Sequence, residues 1–123
     1  MGTESPTEGA TYEIRFVNAS PDEGNLNLTN LRDFLRDIVP RKNHLAMERK
    51  RENANSQDFG ATLVLVLGTA AATAVAQGIR TWLAAHTGTT IEITDAKGQV
   101  VARNINSASA AEIAKVFAQR PTE

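Results

Sequence analysis

The sequence predicts an α+β fold: a two-layer sandwich whose mixed sheet of about four strands carries its helices mainly on one face, a ferredoxin-like variant. Three observations predict it. Strand-like alternation and helix-like periodicity take turns along the first half of the chain. A hairpin signal and a short amphipathic helix close the second half. Between them runs an apolar stretch, Ala61 to His86, long enough to organise a core.

In order, Met1 to Ala10 is polar and rich in Gly, Ser, Thr, Glu and Pro, which predicts a disordered leader over 1–10. It has no basic and apolar regions of the kind a signal peptide needs. A single domain is expected over 11–119, with a frayed end at 120–123. From Thr11 to Asn18 the residues Tyr12, Ile14 and Phe16 alternate with Glu13, Arg15 and Val17, as in a half-buried strand. Ala19 to Leu26 carries Pro21 and Gly24 and is expected to turn. Leu28, Leu31, Leu35 and Ile38 then define one helical face, with Asn27 as its N-cap and Pro40 as its stop. Asn43 to Arg49 is expected as a short edge strand, followed by a polar loop to Gly60 in which Phe59 is an apolar plug.

The stretch from Ala61 carries no formal charge as far as Ile79. As a helix it places Gly68, Ala72 and Ala76 at i, i+4 and i+8, an edge of small residues that admits a close backbone neighbour. Thr69, Thr73 and Gln77 form a polar seam beside it, which favours a buried helix of a globular domain over a lipid-facing one. Two other readings stay open. The helix 61–79 could enter a bilayer, or Thr62 to Leu67 could be a buried strand that Gly68 turns into a shorter helix. Trp82 is expected as a core or groove anchor, and His86 as a cap on the helix C-terminus. Thr90 to Thr94 and Gln99 to Ile105 flank Asp95-Ala96-Lys97-Gly98, a hairpin closed by Gly98 in the left-handed conformation. Ser109 and Glu112 have capping-box spacing before a last helix facing inward through Ile113, Val116 and Phe117.

The chain has 123 residues and a formal net charge of −1, so no acidic or basic partner is implied globally. It has no cysteine, which excludes disulfides, thiol catalysis and cysteine-bound zinc and fits a reducing cytoplasm. Its two histidines, His44 and His86, have no ligand at helical spacing, so no metal site is expected. Ser107 and Ser109 lack the surroundings of a nucleophilic serine, and Gly60 and Gly68 belong to no phosphate loop. No catalytic residue and no cofactor are expected. The basic runs Arg41-Lys42 and Arg49-Lys50-Arg51 lack interleaved aromatics and are balanced by Glu48 and Glu52, which argues against nucleic acid. Arg49, Lys50 and Arg51 lead into a polar run, the composition of a protease-sensitive loop.

The apolar helix LVLGTAAATAVAQGIRTWL, the Thr/Gly break after it, the hairpin TIEITDAKGQVV, the early LRDFLRD helix and the loop ending Asp58-Phe59-Gly60 together resemble the effector-associated constant component 1 family. The likeness spans Tyr12 to Phe117 and rests on pattern and order; the basic Arg49-Lys50-Arg51 segment departs from it where a proline-rich loop would be expected. The resemblance implies a cytoplasmic, non-enzymatic adaptor of bacterial conflict and antiviral defence systems. Such proteins are encoded beside sensors and effectors, among them trypsin-like or caspase-like proteases and NTPases. A protein partner is therefore expected, with Gly68, Ala72, Ala76 and Trp82 as the packing or interaction edge, a homo-oligomer as one form of contact, and Arg49 to Arg51 as the cleavage point. The rival expectation is a membrane-active component whose 61–79 helix inserts after activation.

Overall fold

The computed structural model describes residues 10–17, 19–40, 45–51 and 61–118. Its elements run β1 (Ala10–Val17), α1 (Pro21–Ile38), β2 (Ala46–Arg51), β3 (Ala61–Leu67), α2 (Thr69–Ala85), β4 (Thr90–Asp95), β5 (Val100–Ile105) and α3 (Glu112–Ala118). The strands form one sheet in the order β2-β3-β1-β4-β5, and every pairing is antiparallel. The first six elements are thus a βαββαβ unit with the split ferredoxin-like strand order, to which β5 and α3 are appended. The α+β sandwich stands, with five antiparallel strands where a mixed sheet of about four was expected.

The additional strand comes from the apolar stretch. Residues 61–67 are β3, not the first turns of a long helix, and Gly68 is the N-cap of α2 in an extended conformation. In β3, Leu63, Leu65 and Leu67 are buried, Val64 is half-buried and Val66 is exposed, a period of two that a helix would not give. Among the described residues no helix is long and apolar enough to cross a membrane.

A second correction concerns Ala19 to Leu26. Ser20 is the N-cap of α1: its hydroxyl accepts from the Glu23 N–H at 3.1 Å, and the Glu23 carboxylate accepts from the Ser20 N–H at 3.2 Å. Pro21 stands at the start of the helix, where its missing N–H costs nothing. These residues therefore start the helix rather than turn before it, and Asn27 lies inside it. At the far end Val39 leaves helical geometry before Pro40, as expected.

The core is one cluster. Tyr12, Ile14 and Phe16 of β1, the three leucines of β3, and Ile91 and Ile93 of β4 meet Leu28, Leu31 and Leu35 of α1, Val75, Ile79 and Leu83 of α2, and Ile113 and Phe117 of α3. Tyr12 packs on Phe117 with ring centres 4.7 Å apart. The hairpin forms as expected: Gly98 has φ +83°, and the Asp95 carboxylate accepts from the Lys97 and Gln99 N–H groups at 2.9 and 3.0 Å. Ahead of α3 the Ser109 hydroxyl instead accepts from the Asn106 N–H at 3.2 Å, so the capping box expected with Glu112 gives way to a turn. The expected leader before Ala10, His44, the loop 52–60 with Phe59, and the tail 120–123 lie outside the described residues.

Candidate interaction site

β2 is an edge strand, as expected, but it runs from Ala46 to Arg51 rather than Asn43 to Arg49, so Lys50 and Arg51 extend the strand instead of opening a loop. Its register with β3 is unbroken, Ala46 opposite Val66 through Arg51 opposite Ala61. Side chains alternate between the two faces of the sheet. Arg49, opposite buried Leu63, turns to the helical layer and donates from Nη2 to the Thr29 hydroxyl of α1. Lys50 turns to the other face, where its ammonium lies 3.2 Å from a Glu13 carboxylate oxygen of β1. That pair is partly exposed and stabilises little, about 0–1 kcal/mol.

Beside β2 the C-terminal end of α1 bounds a groove of about 200 Å³ lined by Arg36, Val39, Pro40, Leu45 and Met47. Four of its lining residues are apolar and the fifth, Arg36, is basic. Thr29, Arg32 and Arg36 fall at i, i+3 and i+7, so one flank of α1 faces β2 with two guanidinium groups. Both lie near Asp33, Arg32 at 3.5 Å and Arg36 at 3.9 Å, while the buried Arg32 Nε has no hydrogen-bond partner among the described residues. The Arg49 guanidinium meets a neutral hydroxyl and no carboxylate among the described residues. Arg36 thus lines the groove and Arg49 reaches Thr29 on the same helix, a link between α1 and the basic strand that sequence spacing alone did not make.

The small-residue edge is placed differently from its expectation. Ala72 and Ala76 are buried in α2, but Gly68 precedes the helix, and a Cβ there would meet no atom within 4 Å. The close approach is at Gly78, which the sequence did not single out. A Cβ on Gly78 would lie 2.6 Å from Ile38 Cδ1 and 2.7 Å from Leu35 Cδ2 of α1. Trp82 is only 4% exposed. Its ring meets Phe16 at 5.9 Å and stacks on His86 at 4.0 Å with 14° between the planes. His86 caps α2 as expected, and its Nδ1 lies 2.8 Å from the Trp82 carbonyl. Because a carbonyl can only accept, that nitrogen carries the proton. The two expected residue sets therefore do not converge: Arg49 to Arg51 sit on the sheet edge, whereas Ala72, Ala76 and Trp82 serve the core. Among the described residues no group of three or more His, Asp and Glu could hold a metal ion.

A family model described as Effector Associated Constant Component 1 matches residues 20–119 of the chain. No curated protein and no solved structure matches it.

Proposed function

The chain belongs to the Effector Associated Constant Component 1 family, and on that premise we propose that it is a non-enzymatic adaptor that couples a sensor to an effector in a bacterial conflict or antiphage system. The observation that carries this reading is the extent of the match. It opens at Ser20, the cap of α1, and closes beyond α3, so it takes in the packed helical layer and β2 to β5 rather than one short motif. A component matched over most of its length, rather than at one short motif, is suited to present a surface. The test is to co-express the chain with the sensor and effector encoded beside it and to measure complex formation by size-exclusion chromatography with light scattering. A stable complex, and an effector that no longer responds when the chain is deleted, are the expected results. An effector that fires normally without the chain overturns the reading.

The same reading extends to cleavage when the effector is a trypsin-like protease. Among the described residues Arg49, Lys50 and Arg51 lie on a strand paired on one side only, so freeing them breaks a single ladder. Limited trypsinolysis with mass spectrometry of the fragments checks this: the first cut is expected at Arg49 to Arg51, and a first cut at Arg32 or Arg80 removes the substrate role. Cleavage would not by itself release the apolar segments, because β1 is inserted between β3 and β4 and keeps the two fragments interlocked.

A further inference from the structure

The two edges of the sheet differ in a way that bears on recognition. The β4–β5 ladder has register shifts on both sides of the Ile93–Ala102 pair, and Asn104 of β5 sits at φ +56°. Bulges of this kind leave the outer row of N–H and C=O groups out of line, which protects an edge from added strands. β2 has no such irregularity: its six residues pair with β3 in continuous register. Among the described residues nothing pairs with its outer row of backbone groups, which forms an aligned template, and Met47 of the strand lines the groove bounded by α1.

We propose that β2 is a docking edge for an extended acidic segment of a protein partner, which adds to the sheet as a further strand and lies along the groove between β2 and α1. The proposal rests on the adaptor reading and names the chemistry of its partner. Main-chain hydrogen bonds supply the common part of the affinity, and alternate side chains supply the choice of sequence. On the helical side of β2, Leu45 and Met47 are followed by Arg49. Met47 and Arg49 are two residues apart, roughly 7 Å along a strand. A segment lying beside them therefore places an apolar side chain against Met47, Leu45 and Val39. Two residues on, a carboxylate meets Arg49, with Arg36 at the groove rim. The recognised pattern is an apolar and an acidic residue with one residue between them, in either direction according to strand polarity. Carboxylate is favoured because, among the described residues, Arg49 meets the neutral Thr29 hydroxyl and no carboxylate, and because Arg36 is the one charged residue lining the groove.

The probe is a short fluorescent peptide reading Glu-Thr-Leu-Thr-Glu between serines, which offers the pattern in both directions, titrated with the full chain and followed by anisotropy. Binding in the micromolar range is expected. The affinity should fall at least about tenfold when both glutamates become glutamine, when a proline replaces the central leucine, or when the chain carries Arg49→Glu. The glutamine and proline peptides need no change in the protein, so they decide the matter even if Arg49→Glu fails to fold. Failure to bind up to about 1 mM overturns the proposal. So does equal binding of a peptide in which leucine and the glutamates are adjacent. A dimer in sedimentation that Arg49→Glu abolishes and the peptide does not displace would assign the edge to a second copy of the chain instead. If the effector complex forms and survives Arg49→Glu, the docking edge fails and the adaptor role stands. If the peptide binds as expected and no effector complex forms, the adaptor role fails and the docking edge stands.

Discussion

α1 opens on Ser20 with a reciprocal capping box, has Asp22 and Glu23 in its first turn and Arg36 in its last. α2 opens on Gly68 with no side-chain cap, and has no acid in its first turn and no base in its last. The two helices are nearly equal in length and cover the same sheet. α1 is specified locally, because its termini and dipole are satisfied by its own residues. α2 is specified by what surrounds it: Ala71, Val75, Ile79 and Leu83 are fully buried, and the missing side chain of Gly78 leaves room for the tips of Leu35 and Ile38 of α1. A helix can thus be marked at its ends or along its face, and this protein uses one device for each.

The contrast yields four tests by thermal or denaturant unfolding. The largest effect should come from Leu83→Ala, which empties a fully buried site in α2 and should cost about 2–5 kcal/mol. A loss below about 1 kcal/mol would mean that packing is not what holds α2. Next is Gly78→Leu, expected to lose about 1–3 kcal/mol, because buried Leu35 cannot withdraw although half-exposed Ile38 can. Wild-type stability there would disprove the close contact. Ser20→Ala should cost about 1 kcal/mol through the lost cap, and an unchanged melt would remove the local account of α1. The smallest effect should be a gain. Gly68→Asp gives α2 the cap and the acid it lacks, at extended φ and ψ with no atom within 4 Å of a new Cβ, and should stabilise by about 0.5 kcal/mol. A loss would show that position 68 needs glycine for a reason other than space.

The same contrast explains what the sequence could tell. The inward stripe Leu28, Leu31 and Leu35, the alternation of Tyr12, Ile14 and Phe16, and the Gly98 hairpin were legible because each signal lies within a few residues. Ser20-Pro21-Asp22-Glu23 carries its signal locally too, but Pro21 and Gly24 also suit a turn, and only the serine–glutamate spacing decides for the helix. Residues 61–67 resisted for another reason. An uncharged run of Leu, Val and Thr has no polar face, so the periods of strand and helix both bury apolar residues. Gly68, Ala72 and Ala76 share one stripe only in a helix that runs through Gly68, whereas the helix begins after it. At the candidate site the edge strand was foreseeable from its charges. The groove was not, because Thr29 and Arg36 reach β2 only through the packing of α1 on the sheet.

The position of β1 has a consequence for the order in which the protein is made. Tyr12 faces Leu65 on one side and Asp95 on the other. Of the described strands, the one synthesised first is therefore central, and both of its neighbours are translated much later. Contacts this distant in sequence slow folding, since the intervening chain must be closed before they can form. On the ribosome α1 can form early, its cap being local, whereas β1 waits with both rows of backbone groups bare until β3 and then β4 emerge. Through that interval the nascent chain presents Tyr12, Ile14 and Phe16 on an open strand, a target for a chaperone or for a neighbouring nascent chain. The length of that interval is set by translation through β3, α2 and β4, quite apart from the stability of the finished fold.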